Sequence, residues 1–129
     1  MKSASVLSRA SLKAVGINHL SYQCPDYKKV RDFYTDLLGV QVTKDDGKQA
    51  YLWFGDAFIV VRNSTNGSPK PVIDHFAWTI ANWNKDRVAA ELTKRGLQVQ
   101  PDAEGLSIIT KDLNGYTLQL CSKDLEKRP

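Results

Sequence analysis

Sulfur and imidazole are scarce in this chain: 129 residues contain two cysteines, one methionine and two histidines. Two cysteines with no CxxC pair build neither a zinc cluster nor a disulfide framework. Cys24 and Cys121 each lie near the end of an apolar strand pattern, where a free thiol acts as a small hydrophobe; a bridge between them is left open. Long hydrophobic runs are also lacking. No stretch approaches the ~18 apolar residues that a membrane span needs, so no membrane role is expected. Met1 to Lys13 has neither a continuous apolar segment nor paired arginines and does not read as a signal peptide. The expected compartment is a reducing cytosol, with the periplasm left open.

A focused charge is lacking too. The net charge of +4 suggests a nucleic-acid binder until it is localised. From Ala14 to Cys121 there are 12 Lys and Arg against 12 Asp and Glu. The excess sits in the two tails, six basic residues against two acidic ones. Solvated basic ends make no phosphate-binding patch, and nucleic acid is excluded.

What the chain does have is a repeat. Asn18-His19-Leu20 opens an apolar run, and an acidic helix start, an amphipathic helix and Gly39 follow. Asp74-His75-Phe76 opens a second run, with its own helix and Gly96. The His-to-Gly spacing is 20 residues in the first copy and 21 in the second. The two histidines are therefore twins.

The local patterns fill in each copy. Val15 to Cys24 alternates as a strand, Pro25-Asp26 stops it and caps a helix, and Val30, Phe33, Tyr34, Leu37 and Leu38 form one stripe facing a core. Strands are expected near 40–44, 49–54 and 57–62, with Asp46-Gly47 and Gly55-Asp56 as hairpin turns. The second copy offers a strand over 72–80, then a helix capped by Asn82 or Asn84, and strands near 97–100, 106–111 and 116–122. The expected fold is α+β: two βαβββ modules, residues 14–62 and 72–122, joined by a polar linker over 63–71. Residues 1–13 and 123–129 are tails without assigned chemistry.

Strand alternation then sorts the faces. Leu20, Tyr22, Phe76, Trp78, Leu118 and Leu120 supply a floor for the helices. Ile17, His19, Ser21, Gln23, His75, Ala77, Thr79, Thr117, Gln119 and Cys121 fall on the other side, with Val60 as the twin of Gln119. So mixed a face on buried strands points to a cavity. Each histidine alone reads as an ordinary strand residue. Together, with Gln119, they have the composition of a metal triad suited to Zn, Ni, Fe or Mn, with a neutral amide in the place a carboxylate usually takes.

These motifs resemble the vicinal oxygen chelate superfamily of glyoxalase I, bleomycin and fosfomycin resistance proteins and extradiol dioxygenases. The matching residues are Ile17-Asn18-His19-Leu20, Arg31-Asp32-Phe33-Tyr34 with Leu37-Leu38-Gly39, Asp74-His75-Phe76, and Asn114-Gly115-Tyr116-Thr117-Leu118-Gln119-Leu120. The resemblance implies an open barrel-like sheet with helices outside and a divalent metal at His19, His75 and Gln119. It also implies a small-molecule substrate and a homodimer, with the site either within one chain or shared across the interface. Gln119 stands where the family usually has glutamate, and Val60 where glyoxalase I has another. A carboxylate base beside the metal is then missing, which argues against glyoxalase I chemistry. A metal-dependent lyase- or dioxygenase-like enzyme is expected, with Tyr22, Tyr51 and Tyr116 as candidate acid-base groups. Ser21, Gln23, Trp53, Phe58, Val60, Thr79 and Thr117 are the expected pocket, and Phe54 and Trp83 further aromatic walls. The alternative is a metal-free protein that sequesters a planar ligand.

Overall fold

The computed structural model describes residues 12–65 and 71–129. Most of the N-terminal tail and the centre of the linker lie outside the described residues. The elements follow the expected order: β1 (Ala14–Cys24), α1 (Tyr27–Leu38), β2 (Gln41–Thr43), β3 (Gln49–Phe54), β4 (Ala57–Asn63), then β5 (Val72–Ile80), α2 (Lys85–Lys94), β6 (Gln100–Pro101), β7 (Ser107–Lys111) and β8 (Thr117–Cys121). They make one eight-stranded mixed sheet in the order β2-β3-β4-β1-β5-β8-β7-β6, open at both edges.

The order is a reflected pair. β1 lies parallel to β4, β5 lies parallel to β8, and β1 and β5 join the modules antiparallel at the centre. Both first strands therefore run down the middle of the sheet, which brings the twin histidines side by side.

Local chemistry sets the boundaries. Asp26 has extended backbone and its carboxylate accepts from the Lys28 amide at the start of α1, a cap worth about 1 kcal/mol. Gly39 ends α1 at φ +66°, a conformation that costs other residues a Cβ clash. Asn84, rather than Asn82, caps α2 through the Arg87 amide. The strand expected over 97–100 shrinks to Gln100–Pro101, which pairs with Ile109 and Ile108 of β7.

Each helix covers its own half of one sheet face. Under α1 lie Cys24, Ala50, Leu52 and Val61, and the helix packs Tyr27, Val30 and Tyr34 on them. Under α2 lie Ile80, Ile108 and Leu120, met by Val88 and Leu92 of the helix. The α1 stripe is narrower than its spacing predicts: Phe33, Leu37 and Leu38 stay more than half exposed. Trp83 packs against the α2 cluster, donates its indole N–H to the Gly105 carbonyl and lines a cavity with Thr79 and Asn82, away from the histidines. Trp78 is partly exposed rather than sealed beneath a helix.

Candidate metal centre

Two β-bulges build the site. On the central pair, Ile17 faces Trp78 and His19 faces Ala77, so Asn18 is an extra residue on β1. Ser21 faces His75 and Tyr22 faces Ile73, so Asp74 is an extra residue on β5. A bulge re-aims the side chains around it. Here each bulged residue turns back toward the histidine that follows it. Asn18 Oδ1 lies 2.7 Å from His19 Nδ1, and Asp74 Oδ2 lies 3.0 Å from His75 Nδ1. Both oxygens are acceptors only, so each Nδ1 carries a hydrogen and donates it.

The consequence appears at the other ring nitrogens. His19 Nε2 and His75 Nε2 are 3.0 Å apart, with the rings edge to face. With both Nδ1 positions protonated, two neutral rings point lone pairs at each other, which is repulsive unless a proton or a cation lies between them. A proton is disfavoured. Burial, then the neighbouring His75, push His19 down to about 4, although a hydrogen bond with Gln119 works the other way. Burial also lowers His75, against the pull of Asp74. Two neutral imidazoles with converging lone pairs, each oriented by an oxygen behind it, form the second-sphere arrangement of metal-binding histidines.

These side chains open on a cavity of about 270 Å³ lined by His19, Tyr51, Phe58, Val60, Arg62, His75, Ile109, Gln119, Leu125 and Glu126. Phe58 stacks on His19 at 4.6 Å and on Tyr51 at 4.7 Å, and Trp53 backs it at 4.5 Å. Module 1 thus supplies an aromatic wall. Among the described residues no three His, Cys, Asp or Glu converge on one point, so a third protein donor would be the Gln119 amide.

His19, His75 and Gln119 come together within a single chain, as do Tyr51, Phe58 and Val60. The other expected pocket residues lie elsewhere. Ser21 and Gln23 support Asp74 by hydrogen bonds from Oγ and Nε2. The Trp53 indole N–H is held by Thr43, and Thr117 accepts from Lys111 Nζ. Thr79 lines a separate cavity of about 400 Å³ with Val15, Ile17 and Asn18. Tyr22 packs on the helix side in the α1 core, where burial raises its phenol to about 12. Tyr116 is half exposed against Phe76. Tyr51 alone of the three tyrosines borders the histidines. Cys24 and Cys121 are free, buried thiols, and burial pushes Cys121 up to about 12.

Two charged wall residues escape the sequence reading. Arg62 shares the face of Val60 by simple alternation, a signal that was there to use. Glu126 belongs to the C-terminal tail, whose residues carry no periodicity. Leu125 and Glu126 fold over the cavity, and the tail is tied to module 1 by Lys44–Glu126 and Arg128–Asp56 ion pairs. The tail expected to lack chemistry therefore places a carboxylate on the cavity wall.

The same architecture recurs in known proteins. The metallothiol transferase FosB of Staphylococcus haemolyticus is 28% identical over 124 residues, covering 88% of this chain and 87% of that protein. FosB of Staphylococcus epidermidis is 27% identical over the same coverage. Among solved structures, the Mn(II)-bound glyoxalase of Novosphingobium aromaticivorans superposes with a TM-score of 0.69 at 16% identity over 87% of this chain. Catechol 2,3-dioxygenase does so with a TM-score of 0.71 at 15% identity over 86%. This chain spans only 40% of each of those two longer chains. A profile of the glyoxalase/bleomycin resistance protein/dioxygenase superfamily matches residues 16–120, and the chain belongs to that superfamily.

Proposed function

We propose that this chain is a metal-dependent enzyme acting on a small substrate that presents two neighbouring oxygens, lyase- or dioxygenase-like in its chemistry. The observation that carries this reading is the imidazole pair: Nε2 atoms 3.0 Å apart, each Nδ1 tied behind to an oxygen. His19, His75 and Gln119 would hold the ion; Fe, Mn, Ni and Zn all suit imidazole with an oxygen donor. Bound there, a divalent cation supplies Lewis acidity to the substrate oxygens. Phe58 and Tyr51 stack beside His19 and exclude water from that side. Burial raises the Tyr51 phenol, so Tyr51 keeps its proton and acts as a donor, while Glu126 is, among the described residues, the one carboxylate lining the cavity and acts as an acceptor. A standard glyoxalase I reaction remains disfavoured, since neither β4 nor β8 carries a carboxylate at the twin positions Val60 and Gln119.

The relatives support the metal: one group is named as metallothiol transferases and a structural neighbour is Mn(II)-bound. The cavity lies just below the ~300–1,000 Å³ usual for drug-sized ligands, which supports a small substrate. Exposed Phe33, Leu37 and Leu38 on α1 support assembly as a homodimer, and two free thiols fit a reducing cytosol. Metal content of protein purified without chelator tests the reading. About one equivalent is expected in the wild type and a large loss in His75→Ala; equal, negligible metal in both would sink it.

A second reading, a metal-free sequestering protein, is favoured by the Trp53–Phe58–Tyr51 stack and the neutral amide of Gln119. An aromatic ligand that stabilises the protein equally with and without chelator would select it.

A further inference from the structure

Among the described residues Arg62 is the only cation on the wall of the histidine cavity, and its pairing is incomplete. Its Nε is buried and has no hydrogen-bond partner among the described residues. Its Nη1 stands 3.5 Å from Asp74 Oδ2, beyond the ~2.7–2.9 Å of a full charge-assisted bond. The reason is competition. The Asp74 carboxylate already accepts from His75 Nδ1 at 3.0 Å, Gln23 Nε2 at 3.2 Å and Ser21 Oγ at 3.4 Å. Four donors share two oxygens, and the guanidinium has the longest contact. The carboxylate on the cavity wall itself, Glu126, is engaged by Lys44.

A guanidinium presents a planar fork of donors that matches a carboxylate or phosphonate, and a buried donor left unpaired is costly in any state that does not pair it. We propose that Arg62 anchors an anionic group of the substrate, so that the cavity selects a compact oxyanion carrying its two adjacent oxygens toward His19 and His75. This rests on the metal-centre reading for the second half of that statement and on Arg62 alone for the first. The volume, about nine waters at ~30 Å³ each, leaves room for little beyond the anion and the reacting oxygens.

Two bidentate probes separate the contributions. Oxalate chelates a metal and leaves two anionic oxygens exposed; acetohydroxamate chelates through two oxygens without that distal charge. Calorimetric titration of the Mn(II)-loaded full chain should show Arg62→Met binding oxalate at least tenfold more weakly than wild type. Acetohydroxamate should bind both within about twofold, with metal content unchanged. Arg62→Lys should recover part of the oxalate affinity, and it carries the comparison if the methionine variant unfolds. Oxalate affinity within twofold of wild type in the substituted, metal-retaining protein would overturn the proposal. If the wild type itself takes up no metal, the metal reading fails by that fact, and inorganic phosphate titrated into chelator-treated protein decides the anchor. Binding that depends on Arg62 upholds it; binding that is equal in both proteins, or absent from both, overturns it.

Discussion

Module 1 holds its histidine with an amide, module 2 with a carboxylate. The scaffold around them is the same: a bulged first strand, a helix, and a parallel last strand whose residues face the cavity. What differs is the lining. Module 1 surrounds His19 with Phe58, Tyr51 and Trp53 and leaves it 6% exposed. His75 is held by Asp74 of its own module, and that carboxylate is in turn met by Ser21, Gln23 and Arg62, which module 1 supplies across the central pair. The surroundings of His19 are the dry half of the site and those of His75 the charged half. The division teaches that twin positions fix where a group stands, while their neighbours decide its protonation and strength as a ligand.

Acid should expose that difference most strongly. Both histidines are held neutral, so the unfolded chain binds more protons than the folded one below pH ~6.5 and stability falls as pH falls. His19, lowered to about 4, accounts for a loss on the order of 3 kcal/mol between pH 6.5 and 4. Thermal melts of chelator-treated protein across that window should flatten more in His19→Asn than in His75→Asn. Equal flattening would mean that the aromatic wall does not set the asymmetry.

Removing the carboxylate strikes the charged half. Asp74→Ala leaves the His75 N–H, Gln23, Ser21 and Arg62 without their common acceptor, and a loss of about 2–3 kcal/mol in denaturant unfolding is expected. Asn18→Ala removes one neutral bond and should cost about 1 kcal/mol. A larger cost at Asn18 than at Asp74 would reverse the assignment of the two halves.

A gain rather than a loss is expected from making the halves alike. Asn18→Asp gives His19 the carboxylate that His75 already has and should tighten metal binding about tenfold, within the range measured for such supporting groups. Competition against a chromogenic chelator would read it. Unchanged affinity would show that burial beside Phe58, rather than the neutral amide, limits His19 as a ligand.

Much of this was legible in the residue order. The repeat, the Asp26 cap, Gly39, the hairpin turns and the gathering of His19, His75 and Gln119 follow from periodicity and turn chemistry. The bulges were not, because strict alternation sends Asn18 and Asp74 to the face opposite their histidines, and one extra backbone residue cancels that rule. Glu126 was not legible for a different reason: a tail held by two ion pairs has no hydrophobic period to betray where it lies. Phe33, Leu37 and Leu38 fit a helical stripe, but spacing alone cannot say whether a stripe meets the chain's own sheet or is left outside it.

The central pairing of β1 with β5 has a consequence for folding. The two imidazoles come from positions 56 residues apart, and neither module contains a pair of its own. The contact that makes the site therefore exists only where β1 and β5 are paired across the sheet. A bound ion would thus act as a clasp on the finished molecule, slowing its opening without guiding either half toward the other.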